Sequence, residues 1–327
     1  ALKANLNSPA LVNPTINGVA QSGYTGFKNY LINGAFDIWQ RGESFSTNGG
    51  YTADRFTVAN FSGSVVKNGA TSGPQGFPNH LSVDKTAGQD TVIIQRWEMP
   101  VNKCKTFLNG RTLTFSAWIL TSVPIETVYF IKNGIANSYE VRNFSVTKSP
   151  TLNTWSKIEA TISNINFTYE EGEYIEIRLD PMNSLAGSTH TTGWQLEEGS
   201  VATPFEQRPY GLELSLCQRY YEAGLYLITG HKYCWSPSNY NTRWVNHCSF
   251  KVQKRISPSI SLVDNNGTAN CVTTLNQDYA VIANGVPGEI TIPNGNKDYF
   301  LIGIGNMPTA PAPHCGYSCA WKASAEL

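Results

Sequence analysis

At 327 residues the chain is long enough for two domains, each with its own core. Lys plus Arg equals Asp plus Glu, at 24 each, so no net field draws it onto nucleic acid or an anionic membrane. Charged residues make up only 15% and aromatics 12%, a balance that suits sugar binding and equally suits a β-sandwich core. No apolar run approaches the ~18 residues needed to span a bilayer, so no membrane insertion is expected. The opening Ala1-Leu-Lys-Ala-Asn5 has no initiator Met and no apolar core, which reads as a piece of a longer protein. Seven Cys is an odd count and no disulfide framework at this length. In a reducing compartment they stay thiols and behave mostly as small buried hydrophobes.

Residues 1–27 have neither helical nor strand periodicity, and Asn, Pro, Ser and Gly punctuate them. Such a segment buries too little surface to fold alone and is expected to be extended. Residues 28–208 read as an all-β domain of eight or nine strands. Short apolar or alternating runs recur, among them Phe56-Thr-Val58, Thr91-Val-Ile-Ile-Gln-Arg-Trp97, Thr127-Val-Tyr-Phe-Ile131, Tyr174-Ile-Glu-Ile-Arg-Leu179 and Gly193-Trp-Gln-Leu-Glu197. Asn68-Gly69, Asn109-Gly110, Asn133-Gly134 and Glu171-Gly172 supply turns. In Thr112–Leu120, alternation puts Leu113, Phe115, Ala117 and Ile119 on one face and Thr114, Ser116, Trp118 and Leu120 on the other. This spacing predicts a sandwich of jelly-roll type.

Residues 209–218 hold the one convincing helix, with Leu212, Leu216 and Tyr220 at i, i+4 and i+8. Residues 219–327 read as a second β-rich domain, with strands at 220–228, 242–252, 259–263, 278–282, 297–304 and 319–325. At ~109 residues with long loops its own core is modest, which favours an oligomer.

Four stretches, in this order, resemble bacteriophage tail fibre and tail-associated proteins. Ala4-Asn-Leu-Asn-Ser-Pro-Ala-Leu-Val-Asn-Pro-Thr15 is similar to fibre-shaft repeats. Leu31-Ile-Asn-Gly-Ala-Phe-Asp-Ile-Trp-Gln-Arg-Gly42 with Tyr51-Thr-Ala-Asp-Arg-Phe56 resembles the opening of a carbohydrate-module-like sandwich. Trp194-Gln-Leu-Glu-Glu-Gly-Ser-Val-Ala-Thr-Pro-Phe-Glu-Gln-Arg-Pro-Tyr210, running on through Glu213-Leu-Ser-Leu-Cys-Gln-Arg-Tyr-Tyr221, resembles the junction to a distal domain. Trp321-Lys-Ala-Ser-Ala-Glu-Leu327 resembles a fibre C-terminus. The resemblance implies a virion protein that forms a homotrimer, joins other tail proteins through its N-terminal side, and adheres to a bacterial surface glycan or an outer-membrane protein. It gives Asp54-Arg55 a structural role as a buried pair. A capsule- or lipopolysaccharide-cutting depolymerase and a purely structural spacer are the alternatives.

Three kinds of chemistry were weighed. For glycosidase work the carboxylates are Asp37, Glu43, Asp54, Glu197 and Glu198, but a pair must face one bond and sequence does not show convergence. No Gly-x-Ser-x-Gly elbow and no β-helical repeat is present, so no catalytic residue is assigned. For metals, His231-x-x-Cys234 and His314-Cys-x-x-x-Cys319 carry zinc-type donors at no known finger spacing, His247 sits beside Cys248, and His190 reads as a loop residue. No cofactor is expected, beyond a candidate structural calcium that the resemblance suggests between Asn33–Asp37 and Glu197. For ligand contact, Tyr233, Trp235 and Tyr240 stand among Ser, Asn and Pro in Gly230–Tyr240. His314 and Tyr317 stand in the stiff, proline-rich Met307–Ser318. Trp118 on the sandwich completes the candidates, as a stacking ring or as a contact to another domain or subunit.

Overall fold

The structure, a computed structural model, describes residues 15–16, 19–20, 27–46, 49–60, 63–69, 71–85, 91–98, 108–125, 127–133, 140–167, 173–180, 186–228, 244–275, 281–304 and 316–326. Within these it is nearly all antiparallel β, with one α-helix, and the contacts divide the chain between Pro209 and Tyr210. No described helix is long and apolar enough to cross a membrane.

The first unit begins with a minimal hairpin, β1 (Thr15–Ile16) and β2 (Val19–Ala20). Its sandwich comprises β3 (Ser44–Phe45), β4 (Phe56–Ala59), β5 (Gly63–Lys67), β6 (Leu81–Lys85), β7 (Val92–Glu98) and β8 (Leu113–Thr121). It continues with β9 (Thr127–Asn133), β10 (Glu140–Asn143), β11 (Ser145–Lys148), β12 (Ser156–Ile162), β13 (Tyr174–Asp180) and β14 (Gly187–Glu198). One sheet runs β10-β9-β13-β7-β4, the other β11-β12-β8-β14-β6-β5-β3. The alternation in β8 holds: Leu113, Phe115, Ala117 and Ile119 are fully buried between the sheets. Trp194 fills the centre, edge-on to Phe56 at 5.2 Å and to Phe115 at 5.1 Å, with its indole N–H donating to Thr191 Oγ1. Strands β10 and β11 carry a weak pattern because six of the nine side chains from Glu140 to Lys148 are polar. Between them Phe144 is buried against Phe115 and Phe130 where the chain passes from one sheet to the other.

The opening and closing motifs of this unit are knitted together. Asn29 donates to the Trp194 carbonyl and accepts from the Leu196 N–H. The Arg208 guanidinium donates to the carbonyls of Leu31 and Asn29, and Glu206 accepts the N–H groups of Lys28 and Asn29. Gly34 lies so close that an added Cβ would sit on the Trp194 carbonyl oxygen. Asp54 and Arg55 are both 1% exposed; Asp54 accepts from the Gln40 N–H and Arg41, and Arg55 donates to the Arg96 carbonyl.

The second unit opens with helix α1 (Tyr210–Gln218). Its buried face differs from the expected leucine stripe: Glu213, Cys217 and Gln218 are buried, whereas Leu212 is 36% exposed. The helix is held by polar anchors rather than a leucine seam. The Gln218 carbonyl, at its C-terminal end, accepts from the buried Lys254 ammonium. Seven strands follow, β15 (Tyr221–Ile228), β16 (Trp244–Ser249), β17 (Ser259–Val263), β18 (Cys271–Leu275), β19 (Val281–Thr291), β20 (Tyr299–Ile304) and β21 (Gly316–Ser324). They run β15-β21-β18-β19-β20-β16, with β17 also on β21. The strand expected at 278–282 overlaps only the start of β19, which runs on through Asn284-Gly285 and Pro287-Gly288. Pro287 is tolerated because the strand changes partner there, pairing β18 up to Pro287 and β20 from Gly288. Cys217, Cys248 and Cys319 are buried, as expected of small hydrophobes.

Candidate functional site

The outward face of the five-stranded sheet combines aromatic rings with fixed charge. In antiparallel strands, directly opposed residues share a face. Ile177, Gln95, Phe130 and Phe56 form one inward row, so Glu176, Arg96 and Ile131 point outward. So do Arg178, Ile94, Tyr129 and Thr57, in the next outward row. Tyr51 extends this second row by bridging to Thr57. From Tyr51 to Tyr129 there are thus four interstrand steps, or about 19 Å at ~4.8 Å per step. Along these rows Ile94, Ile131 and Glu176 are buried, and the accessible groups are the arginines, the tyrosines and Thr57.

Glu176 organises the polar part. It is 2% exposed, accepts from Arg96 Nε at 2.9 Å, and accepts from Arg178 Nη2 at 3.1 Å. The two guanidinium side chains stay more accessible, at 28% and 29%. Arg96 lies 5.0 Å from the Tyr174 ring centroid, and Arg41 lies 5.0 Å from that of Tyr51. Burial opposes the Arg96 charge, but the hydrogen bond and charge of Glu176 outweigh it and raise its pKa. Burial raises the Tyr174 phenol against the pull of Arg96, so the ring stays a neutral donor. Arg178 Nε has no hydrogen-bond partner. Rings present flat apolar faces, and guanidinium groups clamped by one carboxylate present N–H donors already fixed in place. Ordering losses on contact with a hydroxylated ligand are correspondingly small. Sequence reading found these strands but overlooked the face. The available signal was Tyr174-x-Glu176-x-Arg178, an aromatic and two opposite charges on one side of a strand.

The outward face of the seven-stranded sheet carries Trp118, beside Lys157 and Thr192. Trp118 is half-buried, not a bare platform. Phe77 and Trp118 both close on Gly193, whose added Cβ would lie 2.8 Å from Phe77 and 3.1 Å from Trp118. Gly193 has φ +65°, so a side chain there is strained as well as crowded.

No protein-family model matches the chain, and no curated protein matches it. Among solved structures it is similar to the enzymatically active domain of bacteriophage CBA120 tailspike protein 4, at 13% identity and TM-score 0.33. That match covers 53% of this chain and 22% of the tailspike chain. It is similar to TmCBM61 in complex with β-1,4-galactotriose at 11% identity and TM-score 0.30, over 53% of this chain and all of that one. The N-terminal cellulose-binding domain of Cellulomonas fimi β-1,4-glucanase C matches at 15% identity and TM-score 0.30, over 49% of this chain and 97% of that one. Likeness at this level carries neither ligand nor activity to this chain.

The remaining sequence candidates fall as follows. Tyr233, Trp235, Tyr240 and His314 lie outside the described residues, as do His231, Cys234 and Cys315. Tyr317 is corrected from ligand contact to core: it is 0% exposed, and its hydroxyl donates to the Ile302 carbonyl at 3.2 Å. A ring so enclosed offers no face to a ligand. His190 is corrected from loop to strand, in β14. Burial pushes the Cys248 and Cys319 thiols up to about 12, so both stay protonated as small core side chains. Among the described residues no group of three or more His, Cys, Asp or Glu is placed to hold a metal. The suggested calcium donors do not fit either. Asn33 spends its amide on Ile38 and the Asp54 carbonyl, and Glu197 is taken by Thr203 and Gln195. The carboxylates weighed for catalysis are each tied to other partners: Asp37 to Asn79, Glu43 to Lys67, Asp54 to Gln40 and Arg41, and Glu198 to Arg111.

Proposed function

We propose that this chain is an adhesion module of a bacteriophage tail fibre and binds a bacterial surface polysaccharide through the outward face of the five-stranded sheet. One observation carries the site: Arg96 and Arg178 are clamped on Glu176, with Arg96 over the Tyr174 ring and Arg41 over the Tyr51 ring on the same face. Stacking rings and preset donors are what a hydroxylated, largely neutral ligand requires. The carrier reading rests on the fibre-like motifs, with the virion as location and other tail proteins as partners.

The test uses the full chain and a panel of purified capsular and lipopolysaccharide O-chain preparations in affinity electrophoresis. Tyr174→Ala and Arg178→Met are each expected to weaken retardation by roughly tenfold, about 1.4 kcal/mol, with unchanged melting. Unchanged retardation in both variants would sink the site. Release of reducing sugar from the same glycans would instead favour the depolymerase reading.

The chain is further expected to work as a homotrimer, whose three copies add avidity to weak single sites. The exposed apolar side chains of β15, Leu225 at 86% and Leu227 at 59%, support an association surface on the second unit. Light scattering should give a mass near three times 35.9 kDa, and Leu225→Asp should lower it. A wild-type monomer of 35.9 kDa would overturn the trimer.

A further inference from the structure

We propose that His80 and His190 form a pH-operated latch that holds residues 71–80 over the outward face of the seven-stranded sheet and, on opening in mild acid, uncovers Trp118.

The geometry starts from His80, which is 1% exposed with no hydrogen-bond partner for either ring nitrogen. Its ring stands edge-on to Trp155 at 5.5 Å and to His190 at 5.7 Å. His190 is also buried, and its Nδ1 lies 2.8 Å from Ser82 Oγ, which accepts the Gly69 N–H. Backbone bonds then close the segment: Asn68 N–H donates to the His80 carbonyl, and His80 N–H donates to Asn68 Oδ1. Trp155 pins the far side by donating its indole N–H to the Ser72 carbonyl. Within the segment so held, Phe77 reaches Gly193 beside Trp118 and packs edge-on to Phe205 at 5.1 Å. Among the contacts that keep Phe77 on the Trp118 side of the sheet, the one that a proton can break is the edge-on pair of His80 and His190 imidazoles.

Such a clasp holds only while both rings are neutral. Burial and then the facing His190 push His80 down to about 4; burial lowers His190 too, with Asp84 opposing. The other charges nearby are Asp37, which accepts from Asn79, Lys67 paired with Glu43, and Lys157 opposite Trp118. None of these contacts partners an added proton on His80. The sign follows from linkage. An open, hydrated His80 titrates near 6.5 and the closed one near 4, so closure is complete above 6.5 and weakens as pH falls toward 4. For His80 alone the closed-to-open ratio drops about 20-fold between pH 7 and pH 5.

Hydrogen exchange on the full chain at pH 7 and pH 5, corrected for intrinsic rates, tests this. Amides of 68–80 should show about 20-fold more opening at pH 5, while those of β13 stay unchanged, and hydroxyl-radical labelling of Trp118 should rise in parallel. His80→Gln, and His80→Phe should the first variant not fold, should remove most of the pH dependence and leave the smaller part that His190 contributes. Equal acid sensitivity in the variant and the wild type, or exchange rising in β13 together with 68–80, would overturn the latch.

Discussion

Trp194→Ala is expected to cost the sandwich about 3–5 kcal/mol, enough to remove most of the stability of an ordinary domain. The side chain is fully buried, packs edge-on against Phe56 from one sheet and Phe115 from the other, and hydrogen-bonds Thr191. Its own backbone N–H donates to the Gly34 carbonyl, and its carbonyl accepts from Asn29, so the cavity opens where the opening and closing motifs meet. Neighbouring strands cannot collapse into that space without breaking these bonds. Urea denaturation followed by far-ultraviolet circular dichroism measures the loss. Trp194→Phe, which keeps an aromatic filler, should recover more than half of it. A loss under 1 kcal/mol for Trp194→Ala would mean that the centre of the sandwich lies elsewhere.

A second effect of similar size concerns Lys254 in the other unit. Its ammonium is fully buried and donates to Glu222 Oε2 at 2.5 Å, to the Gln218 carbonyl and to the Val252 carbonyl. It also lies 4.7 Å from the Phe250 ring centroid. Lys254→Met leaves Glu222, itself 1% exposed, as a buried uncompensated charge, for a loss of about 3–5 kcal/mol. Burial lowers the Lys254 pKa despite the pull of Glu222, so desolvation outweighs the attraction. It follows that Lys254→Met combined with Glu222→Leu should regain most of the loss, a result that a double-mutant cycle in urea resolves. A double variant no more stable than Lys254→Met alone would contradict this account of the pair.

The sandwich was largely legible because its core strands keep strict period two. Leu113, Phe115, Ala117 and Ile119 name their face without any structure. What stayed hidden has particular causes. Polar edge strands such as β10 and β11 bury little surface, so hydrophobic pattern is mute there. In β19 the turn-forming Gly285 and the strand-breaking Pro287 sit where the strand changes partner, a fact of topology and not of local sequence. Of the stripe expected on α1, Tyr220 is buried while Leu212 is exposed, and Glu213, Cys217 and Gln218 take the buried positions instead, with Lys254 reaching the Gln218 carbonyl.

The candidate site was less legible than the fold. Loop aromatics were weighed as binders because loops usually carry function, which led to Tyr317, a core ring bonded to Ile302. The face around Glu176 needed knowledge of which strands are neighbours. Arg96 and Arg178 are far apart in sequence and meet only because β7 and β13 pair, and Tyr51 joins them through Thr57 on β4. Composition hinted at the chemistry, with few charges and many rings, but not at its place.

The measurement that bears most directly on that place is a glycan array probed with the wild-type chain and with Tyr51→Ala/Tyr174→Ala, both checked for equal melting. The account predicts at least one bacterial polysaccharide retained by the wild type and lost by the double variant. Retention of the same polysaccharide by both proteins would contradict a binding face on the five-stranded sheet.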